Sequence, residues 1–316
     1  MPTVTMMVGG IDKQIYLPYQ LAQQLGFYKK YGVNMVLSTE QAGGVGAETA
    51  MASGQVDMAG AWYTHTIDFQ LKGKPVEDVV QLSGSPGERI MCGKGSNITS
   101  PAQWRGKSIG VTDLGSGTDQ LTLYLAARYH LTTKDFSRVG AGAGSTMIAA
   151  IQHGKVACGM TTQPTVTAIE KLGIGYSAFD LATTAGVQKW LGGYVPTAGV
   201  LALTSWVNAN QATVQKVVDA LVATMHWIHT HTAAQIADEM PPAFVSNSVV
   251  TKADYITALT QDKSQFLPDG MMPAGGPQVV LAIDKLAGVV TGPVDLTTTY
   301  TNSYAIAANK LEGLSS

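Results

Sequence analysis

Residues 110–130, GVTDLGSGTDQLTLYLAARYH, run from a short apolar strand pattern through Gly115, Ser116, Gly117 and Thr118 into an amphipathic helix pattern. This loop holds neither the lysine of a triphosphate-binding loop nor a serine nucleophile paired with a base. It does offer a helix start with unpaired N–H groups and the positive end of the dipole. Its glycines let a ligand reach the backbone, and its hydroxyls add donors, so it suits an anionic or strongly polar group. Ser and Thr also cap ordinary helices, and for one loop alone capping is the commoner reason.

Comparable stretches recur at other predicted strand ends, where open parallel sheets bind their ligands. In the first half these are Gly10, Asp12, Lys13 and Gln14, then Gln41 and Gly43, then Trp62, Tyr63, Thr64 and His65. In the second half the 115–118 loop is joined by Gly144, Ser145 and Thr146, and by Thr162 and Gln163. Recurrence in two halves favours one shared site over unrelated caps. Trp62 and Tyr63 stand where an aromatic wall would flank a ligand, although aromatic pairs as often belong to a core. Lys13, His65 and Arg89 are the cationic candidates, with Arg89 the weakest because Glu88 adjoins it.

Other chemistries find less support. His226, His229 and His231 cluster near a helix end, yet no paired cysteine or acid stands by to complete a metal site. They read as helix residues, and neither metal nor cofactor is expected. The alternation of Gly140, Gly142 and Gly144 is too short a signal for a dinucleotide. Cys92 and Cys158 are the only cysteines, and each is expected to be a buried small hydrophobe rather than half of a disulfide.

The elements that position these residues follow from periodicity. From residue 3 to residue 62 strand and helix patterns alternate as βαβαβ, and from residue 106 the same order returns, which predicts parallel sheets flanked by helices. The segment AMASGQVDMAG at 50–60 aligns with AIQHGKVACGM at 150–160, an offset of 100 residues that also superposes Gly73 on Gly173. Two similar α/β lobes are therefore expected. After residue 201 the pattern becomes helical and is interrupted by Pro241, Pro242 and the run LPDGMMPAGGP. This tail is expected to pack back on the first lobe.

With 316 residues, 45% of them hydrophobic and 13% charged, the chain can bury a large core. A formal charge of −2 provides no basic stripe for nucleic acid, and no apolar run is long enough to span a membrane. The start, MPTVTMMVGG, lacks the basic and apolar regions of a signal peptide.

Taken together, LPYQLAQQLGFYKKYGVNMVLS at 17–38, AMASGQVDMAGAW at 50–62, SPAQWRGKSIGVTDLGSGT at 100–118 and the stretch from 199 to 228 resemble one family. It is the periplasmic solute-binding proteins of ABC importers, in the branch handling sulfonates, taurine, nitrate and thiamine-precursor pyrimidines. The resemblance implies a type II two-lobe periplasmic-binding-protein fold, each lobe a mainly parallel sheet flanked by helices, with the ligand in the interlobe cleft. Lobe one would comprise 1–88 and a return segment at 199–316, and lobe two 89–198, with hinges at 82–89 and 197–202. It further implies a monomer that is not an enzyme, a membrane permease as partner, and a periplasmic or surface-anchored location with the leader outside this sequence. The expected ligand is a small organic anion such as a sulfonate, a carboxylate or nitrate, with an aromatic carboxylate or a pyrimidine as runner-up. The rival enzyme, a thiamine-pyrimidine synthase of the same fold, carries a cysteine cluster that this sequence lacks. One departure from the family pattern is Ala157, where the counterpart of Asp57 is expected.

Overall fold

The computed structural model describes residues 1–40 and 44–313. Its strands are β1 (Thr3–Val8), β2 (Asn34–Thr39), β3 (Met58–Trp62), β4 (Val76–Gln81), β5 (Glu88–Gly93), β6 (Ser108–Val111), β7 (Ser137–Gly140), β8 (Cys158–Thr162), β9 (Gly175–Leu181) and β10 (Ala198–Leu203). They form two five-stranded sheets, ordered β2-β1-β3-β10-β4 and β7-β6-β8-β5-β9. In each sheet four strands run the same way and the strand in fourth place is reversed. Each reversed strand, β5 or β10, is the one the chain enters directly after leaving the other sheet. The two lobes thus share one topology.

The hundred-residue repeat is architectural. Gly54 and Gly154 both end a helix with positive φ, +79° and +66°, and lead into β3 and β8, the third strand of each lobe. The Asp57 carboxylate accepts from the N–H and hydroxyl of Thr5, both at 2.8 Å, and so ties β3 to β1 at their entry ends. Ala157 has no such tie, but this position lies away from the strand ends where the loops gather.

Helices cover both faces of the sheets, which explains the continuous apolar strands such as β3 and β10. The Gln211–Thr230 helix buries Val214, Val217, Val218, Leu221, Met225 and Ile228 at helical spacing. No helix among the described residues is long and apolar enough to cross a membrane.

The tail touches both lobes. Around Tyr300 it bridges to Asp78 of β4, whereas the Lys252–Asp262 helix reaches β5 of the second sheet through Asp262 to Arg89 and the flanking helix Thr165–Lys171 through Asp254 to Lys171. The chain crosses between sheets at 82–87 and 192–197, so of the expected hinges residues 198–202 fall inside β10, fourth in sheet one, and residues 88–89 inside β5. The two crossings lie side by side. Leu82 N–H donates to Ala198 O (2.8 Å), Val195 N–H to Gly84 O (3.0 Å) and the Thr197 hydroxyl to Ser85 O (2.6 Å). Residues 265–267 join them through Gly84 N–H to Gln265 O and Leu267 N–H to Leu82 O.

The expectation for the cysteines is corrected. Cys92 and Cys158 are fully buried but form a disulfide between adjacent antiparallel strands, where they are direct partners in the β5–β8 register. Their 66-residue separation conceals a pairing that only the sheet register creates.

Candidate functional site

The loops at the strand ends of both lobes meet across the cleft. An inner cavity of about 20 Å³ is lined by Lys13, Ile15, Tyr16, Trp62 and His65 from one side and by Glu88, Thr112, Ser116, Gly117 and Thr118 from the other. Such a space holds roughly one water. Lys13 also lines an outer chamber of about 480 Å³, together with Gly10, Asp12, Gly144, Ser145, Pro164 and residues of the 247–249 turn. Of the residues expected at a site, these two spaces gather Gly10, Asp12, Lys13, Trp62, His65, Ser116, Gly117, Thr118, Gly144 and Ser145. Gln41 and Gly43 lie outside the described residues.

The 115–118 loop both caps its helix and lines the cavity. Ser116 is the N-cap of the Gly117–Ala127 helix, and its hydroxyl accepts from Asp119 N–H at 3.4 Å. The hydroxyls of Thr112, Ser116 and Thr118 bond to one another at 2.9–3.0 Å. The N–H groups of Gly117 and Thr118, at the first positions of the helix, have no partner among the described residues. Gly117 is also where the lobes touch: a Cβ there would stand 1.9 Å from Cε3 of Trp62.

Lys13 reaches the cavity because the chain turns tightly before it. Gly10 has φ +94°, and a Cβ on it would strike the Lys13 stem at 2.7 Å. The Lys13 ammonium donates to Gly9 O at 2.9 Å, and burial holds its pKa below the ordinary value, with Glu88 opposing. His65 opens the Thr64–Leu71 helix, and its Nδ1 lies 3.0 Å from Asp68 and 3.2 Å from Glu48. Burial alone would push its pKa down, but these two carboxylates raise it to about 9, so the ring is cationic at neutral pH.

Beside Trp62 a buried polar chain links three parts of the molecule. The Thr64 hydroxyl lies 2.6 Å from Gln120 Oε1 and 2.7 Å from Asp284 Oδ2, while Gln120 Nε2 donates to Asp68 Oδ2 at 2.8 Å. One hydroxyl carries one proton and an amide oxygen carries none. Both contacts are therefore satisfied only when Asp284 is itself protonated, which agrees with its pKa, raised by burial to about 7. Gln120 belongs to the second lobe, Thr64 and Asp68 to the first, and Asp284 to the tail helix Gly276–Leu286.

Several expected residues do other work. Arg89 forms a two-bond ion pair with Asp262, both bonds 2.7 Å, and lines neither space. Tyr63 is buried in lobe one, with its hydroxyl on that of Thr299 at 2.5 Å, because the strand has turned into a helix there and points it away from Trp62. Gly115 donates its N–H to Asp119, which also pairs with Arg138. Thr146 bonds to Ala143 O, Thr162 to Gly87 O, and the Gln163 amide oxygen accepts from Thr167. Gln14 N–H donates to Gln163 O, so these two close the cleft rather than line it. Thr64 lines a separate space of about 20 Å³ beside Trp62. The histidines of the tail are structural: His229 bonds Phe266 O and His231 stacks on Trp227 with ring centroids 3.8 Å apart. Ser108, the centre of a G-x-S-x-G spacing at 106–110, opens β6 at the far end of the sheet and is no nucleophile elbow.

Sequence reasoning missed Ile15, Tyr16, Thr112 and Glu88 in the cavity, and Gln120 and Asp284 in the polar chain. Alternation along β5 sends Glu88 and Arg89 to opposite faces, so the neighbour used to discount Arg89 was itself the cavity residue. Nothing in the tail's periodicity marks Asp284.

Comparison with known proteins agrees with this architecture. A protein from Bordetella bronchiseptica RB50 superposes with a TM-score of 0.90 at 27% identity, over 98% of each chain. The alkanesulfonate-binding protein SsuA from Xanthomonas axonopodis pv. citri, bound to MOPS, is similar at a TM-score of 0.74 and 17% identity, over 95% of this chain and 98% of that one. The two-lobe α/β architecture is the periplasmic-binding-protein fold. The 4-amino-5-hydroxymethyl-2-methylpyrimidine phosphate synthases THI5 and THI12 of Saccharomyces cerevisiae are 30% identical over 142 residues, 44% of this chain. That match spans 40% of each synthase, so the chain spans less than half the length of these curated relatives. Residues 15–235 match the family described as NMT1/THI5 like, and the chain belongs to that family.

Proposed function

We propose that the chain is the extracytoplasmic solute-binding component of an ABC importer, capturing a small organic solute with an anionic head by closing its lobes. The observation behind this reading is the inner cavity, to which both lobes contribute and which is lined by Lys13, cationic His65 and the helix-start residues Gly117 and Thr118. The helix dipole and the two cations together suit a sulfonate, a carboxylate or a nitrate-like group, whose entry would widen the one-water space, with the body of the ligand in the outer chamber. Ligand contacts on both lobes favour the closed state, which is the form a membrane permease would recognise. The crossings at 82–87 and 192–197 would serve as hinges, and the return segment 199–316 completes lobe one while bracing lobe two. The buried disulfide supports an oxidising, extracytoplasmic compartment.

A second reading, a pyrimidine synthase, is favoured by the match to the yeast enzymes. Against it, the only two cysteines are joined to each other in the core of lobe two and cannot supply a thiol cluster. A thermal-shift screen with sulfonates, carboxylates, nitrate and aminopyrimidines tests the first reading. A ligand at a hundred times its Kd adds about 2.7 kcal/mol to the folded state, a shift of several degrees. Binding without conversion, followed by mass spectrometry of the recovered solute, is the expected result. A chemically altered solute would favour the enzyme.

A further inference from the structure

Where the tail helix Gly276–Leu286 meets both lobes, the hydrogen bonds are one proton short. The Asp68 carboxylate lies 3.0 Å from His65 Nδ1 and accepts from Gln120 Nε2 at 2.8 Å, which turns the Gln120 oxygen towards Thr64. That oxygen and Asp284 Oδ2 face the Thr64 hydroxyl at 2.6 Å and 2.7 Å, and each contact needs a hydrogen between its oxygens. Thr64 supplies one. With Asp284 ionised, its carboxylate draws that hydrogen, and the Gln120 oxygen is pressed against a bare hydroxyl oxygen. With Asp284 protonated, Asp284 donates to Thr64 and Thr64 donates to Gln120. The adjoining space of about 20 Å³ is walled mainly by Trp62, Leu121, Val280 and Ile283, so little solvent relieves the mismatch. Because Thr64 belongs to lobe one and Gln120 to lobe two, the missing proton sits on the contact between the lobes.

We infer that Asp284 is a proton-operated latch on lobe closure, a positioning residue through which the closed form takes up one proton. This rests on the lobe-closing reading above and adds the condition under which closing is favoured. Opening parts Gln120 from Thr64 and lets water reach Asp284. In the closed form burial raises the Asp284 pKa to about 7, with the Thr64 bond and His65 opposing and Asp68 adding. A group raised by closing favours closure below its open-state pKa, and that advantage is lost as pH rises through 7. The charged groups around Asp284 are His65 and Asp68 from the Thr64–Leu71 helix and, beyond His65, Glu48 from the Gly44–Ala52 helix. On the lobe-two helix Asp119 is turned onto Arg138, and Lys285, next along the tail helix, is exposed. Burial raises Glu48 to about 7 as well, so it requires its own control.

The test is the lobe-to-lobe distance in the solute-free protein from pH 5 to pH 8.5. It is read by energy transfer between dyes on the exposed positions Lys29→Cys of lobe one and Lys134→Cys of lobe two. The background is otherwise wild type, Asp284→Asn or Glu48→Gln. In the wild type and in Glu48→Gln the closed-to-open ratio should fall as pH rises through 7, by at most about tenfold per pH unit, the limit for one proton. Asn keeps a neutral donor at 284, so Asp284→Asn should hold the low-pH distance throughout. A response kept in Asp284→Asn, or lost in Glu48→Gln, would overturn the latch and leave lobe closure standing. A wild-type distance that ignores pH would also overturn it, and whether nitrate, taurine or ethanesulfonate moves the same dyes then decides closure separately. If Asp284→Asn folds poorly, Asp284→Ala, which frees the Thr64 hydrogen for Gln120, should flatten the response equally.

Discussion

Gly117 shows how a single position ties sequence to closure. Its Cα faces the Trp62 ring so closely that any side chain would collide with it, although its φ is ordinary for a helix start. The glycine is therefore required by the neighbouring lobe and not by its own backbone. Gly117→Ala should leave the unliganded protein folded but weaken ligand binding by about five- to 150-fold, the 1–3 kcal/mol of an overpacked contact. Titration calorimetry measures the loss, and small-angle scattering should show a larger radius of gyration at saturating ligand. Unchanged affinity would mean that Trp62 moves aside freely and that the closed contact is not part of binding. The glycine-rich loop was legible in the sequence as a polar helix start, but its meeting with Trp62 was not, because 55 residues (117 − 62) and a lobe boundary separate them.

At the scale of elements, the Lys252–Asp262 helix is held on β5 by the Arg89–Asp262 pair, whose side chains are 8% and 1% exposed. Removing one member of a buried pair strands the other charge. Arg89 Nε keeps a 3.6 Å contact with the partly exposed Asp180, so Asp262→Ala should lower stability by about 3 kcal/mol, the low end for a broken buried pair, in urea denaturation, whereas replacing both, Arg89→Met with Asp262→Leu, should recover most of the loss. If Asp262→Ala costs under about 1 kcal/mol, water reaches the pair and the tail does not brace the second lobe. Arg89 stood out in the sequence as a cation near a strand end. Its partner lies 173 residues away on a helix whose docking surface no local pattern discloses.

For the whole molecule, buried acids dominate the response to pH. Burial raises Glu48, Asp78, Glu88 and Asp284 each to about 7. A raised acid binds more protons folded than unfolded, so its contribution is full below its unfolded pKa near 4 and is lost as pH rises towards 7. His65, raised from 6.5 to about 9, contributes fully below 6.5 and loses that contribution as pH rises through 9. Both act in the same direction, so the melting temperature should fall from mildly acidic pH to pH 9. Below pH 4 the exposed Asp254, held at about 2 chiefly by its bond to Lys171, opposes this trend. Around the Thr64–Gln120 contact stand the ionisable side chains of Asp284, Asp68, His65 and Glu48, and Asn in place of Asp284 keeps a neutral donor there. Asp284→Asn should therefore melt at least as high as wild type at pH 8 and show a shallower slope between pH 4 and 7. A slope identical to wild type would mean that Asp284 is ionised in the folded protein.

Hydrophobic periodicity, the order of strand and helix patterns and the glycines ending helices are local properties, and from them the sequence alone determined the two α/β lobes, their hundred-residue offset and the loops that would face a cleft. Lys13, Trp62, His65, Ser116, Gly117 and Thr118 were legible because strand ends are where parallel sheets expose backbone and helix dipoles. Pairing across distance was not legible. The Cys92–Cys158 bond follows from strand register, Glu88 entered the cavity by alternation on a strand whose face was unknown, and Asp284 arrived on a tail helix placed by packing. Burial, register and interlobe contact depend on which surfaces meet, and only the tertiary structure decides that.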